Sequence, residues 1–330
     1  ASLVFGILSW LCIPFAAAIL AIVFGVLGRR DVKRGEGKVT GSGMATAGLV
    51  LGIVNLAILV LFAAIYVPFA IVNMGELRTE TRTVNLEGAD TVVAEFNIHD
   101  GSLEMAGGTN RLMEGEFTYN VDRWEPDIDY GVRNGTGELS VEQGGGWWTP
   151  VFWNAKNDWK IELNEDVPID LTVRKSDGSG DLNLSRLSLL NVDIDSSSGS
   201  TNADVSGDQP SLRKVRIDQS SGSTNLDLKG TYSAAMTLDV DSSSGSVNID
   251  LKGDWQNDLE GEIDSSSGSI NIQLPDDVGV YITADVSSGD ISASGLRKRG
   301  DAYVNNAYGI SDVTIRLDIE ASSGNINLKV

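Results

Sequence analysis

The chain has 330 residues and a formal charge of −21, from 25 basic and 46 acidic side chains. Residues 1–73 hold five basic and two acidic groups, so the remainder is strongly acidic. That excludes nucleic acid as a partner, because binding it requires Lys and Arg to neutralise phosphates. A single cysteine, Cys12, and a single histidine, His99, exclude a disulfide framework, a cysteine-rich metal cluster and most histidine-based catalytic triads.

Two uncharged runs come first, residues 1–28 and Met44 to Met74. About 20 apolar residues span a bilayer, so each is long enough to cross. They predict a two-helix transmembrane hairpin over 1–75 with a basic loop at 29–43. The first run is too long for a cleavable signal sequence and no basic segment precedes it. Positive residues in short loops mark the cytoplasmic side. The expectation is a double-pass protein of the bacterial cytoplasmic membrane, with residues 76–330 extracytoplasmic or periplasmic. Gly48 and Gly52 form a GxxxG stripe, continued by Gly41 and Ala45, which lets helix backbones approach closely. Its partner is the first helix of the same hairpin or, alternatively, a second protein. Asn55 is expected to hydrogen-bond within the helix pair. SLVFGILSW, GRRDVKRG and ATAGLVLGIVNLAI together resemble a small bacterial membrane-anchor family of unknown function, a resemblance that implies an anchor and no chemistry.

After the hairpin an internal repeat dominates. VDIDSSSGSTNADV (192–205) recurs as VRIDQSSGSTNLDL, LDVDSSSGSVNIDL and GEIDSSSGSINIQL, with Gly199, Gly222, Gly245 and Gly268 spaced 23 apart. Degenerate copies surround Gly101, Gly137, Gly180, Gly289 and Gly324. Apolar residues alternate on both sides of each SSSG corner, the period of half-buried strands, and glycine supplies the positive φ of the corner. Units that cannot bury their apolar face alone must stack, so the predicted fold is all-β: a parallel β-solenoid (β-helix) of about nine coils.

Stacking produces columns. Asn183, Asn202, Asn225, Asn248, Asn271 and Asn327 are placed to form an amide ladder. Asp195, Asp218, Asp241, Asp264, Asp285 and Glu320 form an acidic column. Asp195, Asp218, Asp241 and Asp264 could hold calcium, or each could cap the turn amides that follow it. The GGxGxD calcium pattern is missing, which favours capping, and neither a metal nor a cofactor is assigned. WKIELNEDVPIDLTVRKSDGSGDLNLSRLSLLNVDIDSSSGSTNADV (159–205) resembles the toast-rack and adhesin-like β-strand-repeat families, including Lia-type cell-envelope response proteins. Those families have no shared catalytic residues, and the resemblance implies an envelope role.

Residues 107–160 break the repeat and read as an irregular segment containing Trp124, Trp147, Trp148, Trp153 and Trp159. They could cap the solenoid, sit at headgroup level, or dock a protein. The glycines before Trp147 and Trp148 suit an exposed loop tip, so Trp147, Trp148 and Trp153, with Gly48 and Gly52, are the candidate partner-docking residues. Trp159, in an alternating strand, is expected in the core. SLRK (211–214) matches SxxK without its companion motifs, and neither a P-loop nor a dinucleotide fingerprint occurs. The functional expectation is a non-enzymatic, membrane-anchored accessory subunit. It would dock its solenoid onto other membrane-protein subunits, a respiratory or photosynthetic assembly being an example. An envelope-stress sensor or adhesin-like binding protein is the alternative.

Overall fold

The computed structural model describes residues 14–34, 42–145 and 155–330. The chain divides into two compact units, Ala1–Met74 and Gly75–Val330.

The first unit is helical, with α1 (Pro14–Arg34) and α2 (Ser42–Asn73). Gly43–Phe62 is long and apolar enough to cross a membrane. Its outward residues include Val50, Ile53, Val54, Val60, Leu61 and Phe62, all exposed, an apolar surface that suits lipid rather than water. The buried residues of α2 are small and fall in one stripe: Ala45, Gly48, Gly52 and Asn55. Ala21 and Gly25 answer them from α1. A Cβ on Gly25 would lie 2.8 Å from the Leu49 Cβ and 3.1 Å from the Ala45 carbonyl, so the backbones meet too closely for any larger residue. Asn55 departs from expectation. It is buried, but its Oδ1 accepts no hydrogen bond among the described residues.

The second unit opens with β1 (Met74–Val84), β2 (Thr91–Ile98) and β3 (Ser102–Thr109). Next come β4 (Met113–Val121), a 3-10 turn at Asp122–Trp124, β5 (Pro126–Arg133), β6 (Thr136–Gln143) and β7 (Asn157–Asn164). The repeats follow as β8 (Ile169–Lys175), β9 (Gly180–Asn183), β10 (Leu189–Ser196), β11 (Thr201–Asp204) and β12 (Asp208–Gln209). They continue through β13 (Lys214–Gln219), β14 (Thr224–Asp227), β15 (Thr231–Tyr232), β16 (Met236–Ser242), β17 (Val247–Asp250) and β18 (Asp254–Trp255). The chain ends with β19 (Leu259–Ser265), β20 (Ile270–Gln273), β21 (Gly279–Val286), β22 (Ile291–Ser294), β23 (Arg297–Arg299), β24 (Ala302–Val304), β25 (Thr314–Ala321) and β26 (Ile326–Lys329).

These strands build a mostly parallel, solenoid-like body. A 12-stranded sheet runs β23-β24-β21-β25-β19-β16-β13-β10-β8-β2-β6-β5, and an 11-stranded sheet runs β1-β4-β7-β3-β9-β11-β14-β17-β20-β26-β22. Each rung passes from the larger sheet through a corner into the smaller. Strands β12, β15 and β18 give the central rungs a short third side. Inward residues are apolar because the two faces of a strand alternate. Val192, Val215 and Leu238 stack in register, as do Ile194, Ile217, Val240 and Ile263, and all are buried.

The glycine corner works through close approach as well as backbone sign. Gly199, Gly222, Gly245 and Gly268 have φ of 83°, 106°, 114° and 131°. A Cβ on any of the last three would overlap the carbonyl oxygen of the glycine one rung below.

The winding order differs from a simple solenoid. At one end β6 and β7 lie outside β2 and β3, although they come later in the chain. At the other, the last rung of the sequence, β25 with β26, is inserted between β19/β20 and β21/β22. Gly324 accordingly stacks on Gly268, and Gly289 on Gly324. Equal 23-residue spacing dictates sequential stacking only where successive copies have equal length; longer connections let the chain skip a place and return.

Residues 107–145 are not irregular. They form β4, antiparallel to β7, and β5, antiparallel to β6, which close the apolar interior with reversed strands. Trp124 and Trp159 are each 1% exposed, and Phe117 meets Trp159 edge-on at 5.1 Å. Two repeat positions also shift. The corner glycine is Gly178 (φ 95°), whereas Gly180 opens β9 and Gly137 lies within β6.

Candidate functional site

The outward face of the smaller sheet carries the amide ladder. Asn225 Nδ2 donates to Asn202 Oδ1 at 2.7 Å, and Asn248 to Asn225, Asn271 to Asn248 and Asn327 to Asn271 each at 2.8 Å. Asn225, Asn248 and Asn271 each donate to one neighbour and accept from the other, so the inner amides satisfy one another. Asp181, not Asn183, stands opposite Asn202 in register. Beside the ladder runs a second column, Asp204, Asp227, Asp250 and Gln273. Asp204, Asp227 and Asp250 accept hydrogen bonds from the backbone N–H two residues on, at Ser206, Lys229 and Lys252. Asx capping therefore occurs five residues after the corner glycine. The two columns border a shallow groove of about 340 Å³.

The outward face of the larger sheet carries the acidic columns. Asp195, Asp218, Asp241 and Asp264 stand in register, followed by Glu320 and then Asp285. Their carboxylates cap no turn amides among the described residues. The corner N–H groups of Ser197, Ser220, Ser243 and Ser266 donate instead to carbonyls of the neighbouring rung, at 2.9–3.0 Å. Two residues earlier in each strand stand Asp193, Arg216, Asp239, Glu262 and Asp318. Arg216 reaches Asp193 at 3.3 Å, Asp218 at 3.2 Å and Asp239 at 3.7 Å, neutralising one end of the face. Beyond it Asp241, Glu262, Asp264, Asp318, Glu320 and Asp285 form no ion pair among the described residues. Partial burial first, then Asp239, Asp264 and Asp218, hold Asp241 above the ordinary carboxylate value. Burial, then Glu320, Asp318 and Asp239, do the same to Asp264. Glu262 is raised chiefly by the charge of Asp264. Asp241, Asp264, Asp285 and Glu320 line a groove of about 290 Å³ with the corner serines. Among the described residues no group of three or more His, Cys, Asp or Glu is arranged to hold a metal ion.

A third polar column lies inside the corner: Lys175, Ser196, Gln219, Ser242 and Ser265, all buried. Lys175 Nζ donates to the carbonyls of Gly178 and Ser198 at 2.8 Å each, and Gln219 Nε2 donates to those of Gly199 and Ser221. Burial pulls the Lys175 ammonium down to about 8, with Asp177 opposing the shift. Ser196 Oγ donates to the Ser198 carbonyl at 3.4 Å, whereas the Ser242 and Ser265 hydroxyls have no partner among the described residues.

Of the residues singled out from sequence, the four aspartates share one column, while Gly48 and Gly52 lie in the buried stripe of α2. Trp147, Trp148 and Trp153 lie outside the described residues. Sequence reading missed Arg216, a cation set among the acidic columns, and Lys175, whose signal was a charged residue in an otherwise inward-facing position.

A corner-glycine stack bearing an asparagine ladder and closed at one end by reversed strands defines a β-repeat protein, and the apolar helix before it suggests a membrane anchor. Residues 73–227 match the N-terminal domain of toast_rack (DUF2154), and residues 1–62 match a domain of unknown function (DUF4190). The chain thus carries a toast-rack domain behind a DUF4190 domain. Among solved structures, a candidate cell adhesion protein from Clostridium sporogenes ATCC 15579 is 26% identical, covering 77% of this chain and 99% of its own, with a TM-score of 0.45. A candidate adhesin from Bacteroides fragilis NCTC 9343 is 14% identical over 77% of this chain and 98% of its own, with a TM-score of 0.39. One from Parabacteroides distasonis ATCC 8503 is 11% identical over 78% and 98%, with a TM-score of 0.30. No curated protein matches the chain.

Proposed function

We propose that this is a non-catalytic, double-pass anchored protein of the bacterial envelope that docks an extracytoplasmic β-solenoid onto a larger membrane assembly. The observation that carries the reading is the continuous register of the stack. Backbone pairing, the glycine corners and the amide ladder all run through the same rungs, which makes a stiff body whose outer faces are columns of repeated groups. Such faces recognise a partner by extended complementarity rather than by a few convergent groups. The apolar exterior of α2 supports the anchor, and the five cations of the 29–43 loop support a cytoplasmic loop with both flanking ends outside. The docking residues in this reading are Trp147, Trp148 and Trp153, because tryptophan is enriched at interface hot spots.

A second reading, an envelope sensor or adhesin-like binder, is favoured by the unneutralised acidic face, which would draw a cationic ligand. Purification in mild detergent separates the two. A stoichiometric set of companion proteins, lost in a variant with Trp147, Trp148 and Trp153 all changed to Ala, supports the docked subunit. A protein that purifies alone from unstressed and stressed cells refutes it and leaves the binder.

A further inference from the structure

We propose that the end of the solenoid formed by β23, β24 and the loop 305–313 is a docking surface for an anionic phospholipid bilayer. Arg297, Lys298 and Arg299 form the outermost strand of the larger sheet, and all three are exposed. Arg316, also exposed, lies two strands inward from β24. On a unit so rich in carboxylates these four cations would be expected to pair internally. None of them forms an ion pair with a carboxylate among the described residues.

Three of them rest on tyrosines instead. Lys298 Nζ lies 5.6 Å from the centre of the Tyr303 ring, Arg299 Cζ 5.8 Å from that of Tyr308, and Arg316 Cζ 5.5 Å from that of Tyr281. Tyr281 and Tyr308 are themselves 5.4 Å apart and form one surface, whereas Lys298 and Tyr303 share the opposite face of the strands with Ile282. A π-face orients a cation without cancelling its charge, leaving it available to an external anion. Beside these rings the loop presents Ile310, at 83% exposure the most exposed large apolar side chain described.

The tip is held in place. Asn305, 1% exposed, donates through Nδ2 to the Val278 and Pro275 carbonyls and accepts at Oδ1 from the N–H groups of Val280 and Tyr308. The N–H groups of Ile310 and Ser311 both donate to Ala307 O at 2.9 Å, closing a tight turn. Asp301 and Asp312 are the carboxylates of the segment 297–316, against Arg297, Lys298, Arg299 and Arg316, so the segment is net positive, although Glu260 stands beside Arg316 in register. Cations, tyrosines and a fixed apolar tip together match a bilayer interface, where aromatic rings sit at headgroup level and basic groups meet anionic lipid. A soluble polyanion or an acidic protein would account for the cations but not for the presented isoleucine. This end also lies opposite the edge strand β1, ten strand spacings or roughly 50 Å along the smaller sheet.

The test is co-flotation of the full chain, held in phosphatidylcholine nanodiscs, with separate vesicles. Vesicles containing phosphatidylglycerol should capture it; vesicles of phosphatidylcholine alone should not. The triple change Arg297→Gln, Lys298→Gln, Arg299→Gln should weaken capture by on the order of a hundredfold, about fivefold per cation. Ile310→Ser should weaken it about tenfold while Ile310→Leu does not. All four side chains are exposed, so unchanged melting of the variants confirms folding. Wild-type protein that ignores phosphatidylglycerol vesicles overturns the proposal. So does capture that survives the triple change, which would place the binding on the basic 29–43 loop. Binding to soluble polyphosphate as tight as to vesicles, with Ile310→Ser silent, would make the partner a soluble polyanion and overturn it as well.

Discussion

Replacing Gly245 by alanine separates two requirements that coincide at the corner. Its φ of 114° strains any L-residue, a cost of about 1–3 kcal/mol. The added Cβ would also overlap the Gly222 carbonyl oxygen and lie 2.6 Å from its carbon, so the rungs would have to move apart. That movement stretches the bonds that join these two rungs, Thr224 N–H to Ser246 O, now 2.9 Å, and Ser243 N–H to Gln219 O, now 3.0 Å. Backbone displacement of this kind adds about 1–3 kcal/mol. Gly300 supplies the control: its φ is 64° with nothing within 4 Å of its Cβ position, so alanine there meets only the conformational cost of about 1–2 kcal/mol. Thermal unfolding followed by circular dichroism, on the full chain in detergent, should show a midpoint loss for Gly245→Ala on the order of 10 °C, several times that for Gly300→Ala. Equal shifts at the two positions would refute the argument, because they would mean that glycine serves the turn alone and the rungs are not in backbone contact.

The acidic face should be destabilising at neutral pH. Asp264 is raised in the fold, so the native state holds its proton longer and stability falls as pH climbs through its titration. Asp264→Asn should therefore stabilise by up to about 1 kcal/mol at pH 7, with the gain vanishing below the ordinary value of 3.8; a loss of stability at pH 7 would show the column is neutralised. Lys175 runs the other way. Held at about 8 against an ordinary 10.5, it binds fewer protons in the fold than in the unfolded chain across that window, so stability should rise with pH there. Lys175→Gln, which imitates Gln219 two rungs along the same column, should flatten this rise in melting curves; an unaltered slope would assign it to another group. For topology, cysteines placed at Ser42 and Ser206 in a Cys12→Ser background should label from opposite sides of sealed cells, and labelling of both from outside would reverse the hairpin.

The corner chemistry was legible in the residues alone. Four nearly identical copies at 23-residue spacing placed Asn202, Asn225, Asn248 and Asn271 in one column, and their amide bonds follow from that register. The acidic column was equally visible at Asp195, Asp218, Asp241 and Asp264, but not its treatment. A side-chain column can be read from phase, whereas the choice of partner depends on reach. The corner amides are satisfied by carbonyls of the neighbouring rung, so the aspartates have nothing to cap. In the degenerate copies phase itself misled: two glycines two residues apart, Gly178 and Gly180, fit the pattern equally, and only the backbone shows which one turns.

By itself the sequence determined that apolar residues alternate about a glycine corner, that copies must stack, and that an apolar helix precedes them. Those are local or nearest-neighbour properties, carried by period and by the conformational freedom of glycine. Only the tertiary structure decided the order of the outer rungs, with β6/β7 placed outside β2/β3 and β25/β26 inserted before β21/β22. Any of these rungs presents the same inward alternation, so neighbours in the stack cannot be told from period once the connections differ in length. Which one takes the end place is settled by what must close the open interior: antiparallel β4 and β5 at one end, and β24 with β23 at the other.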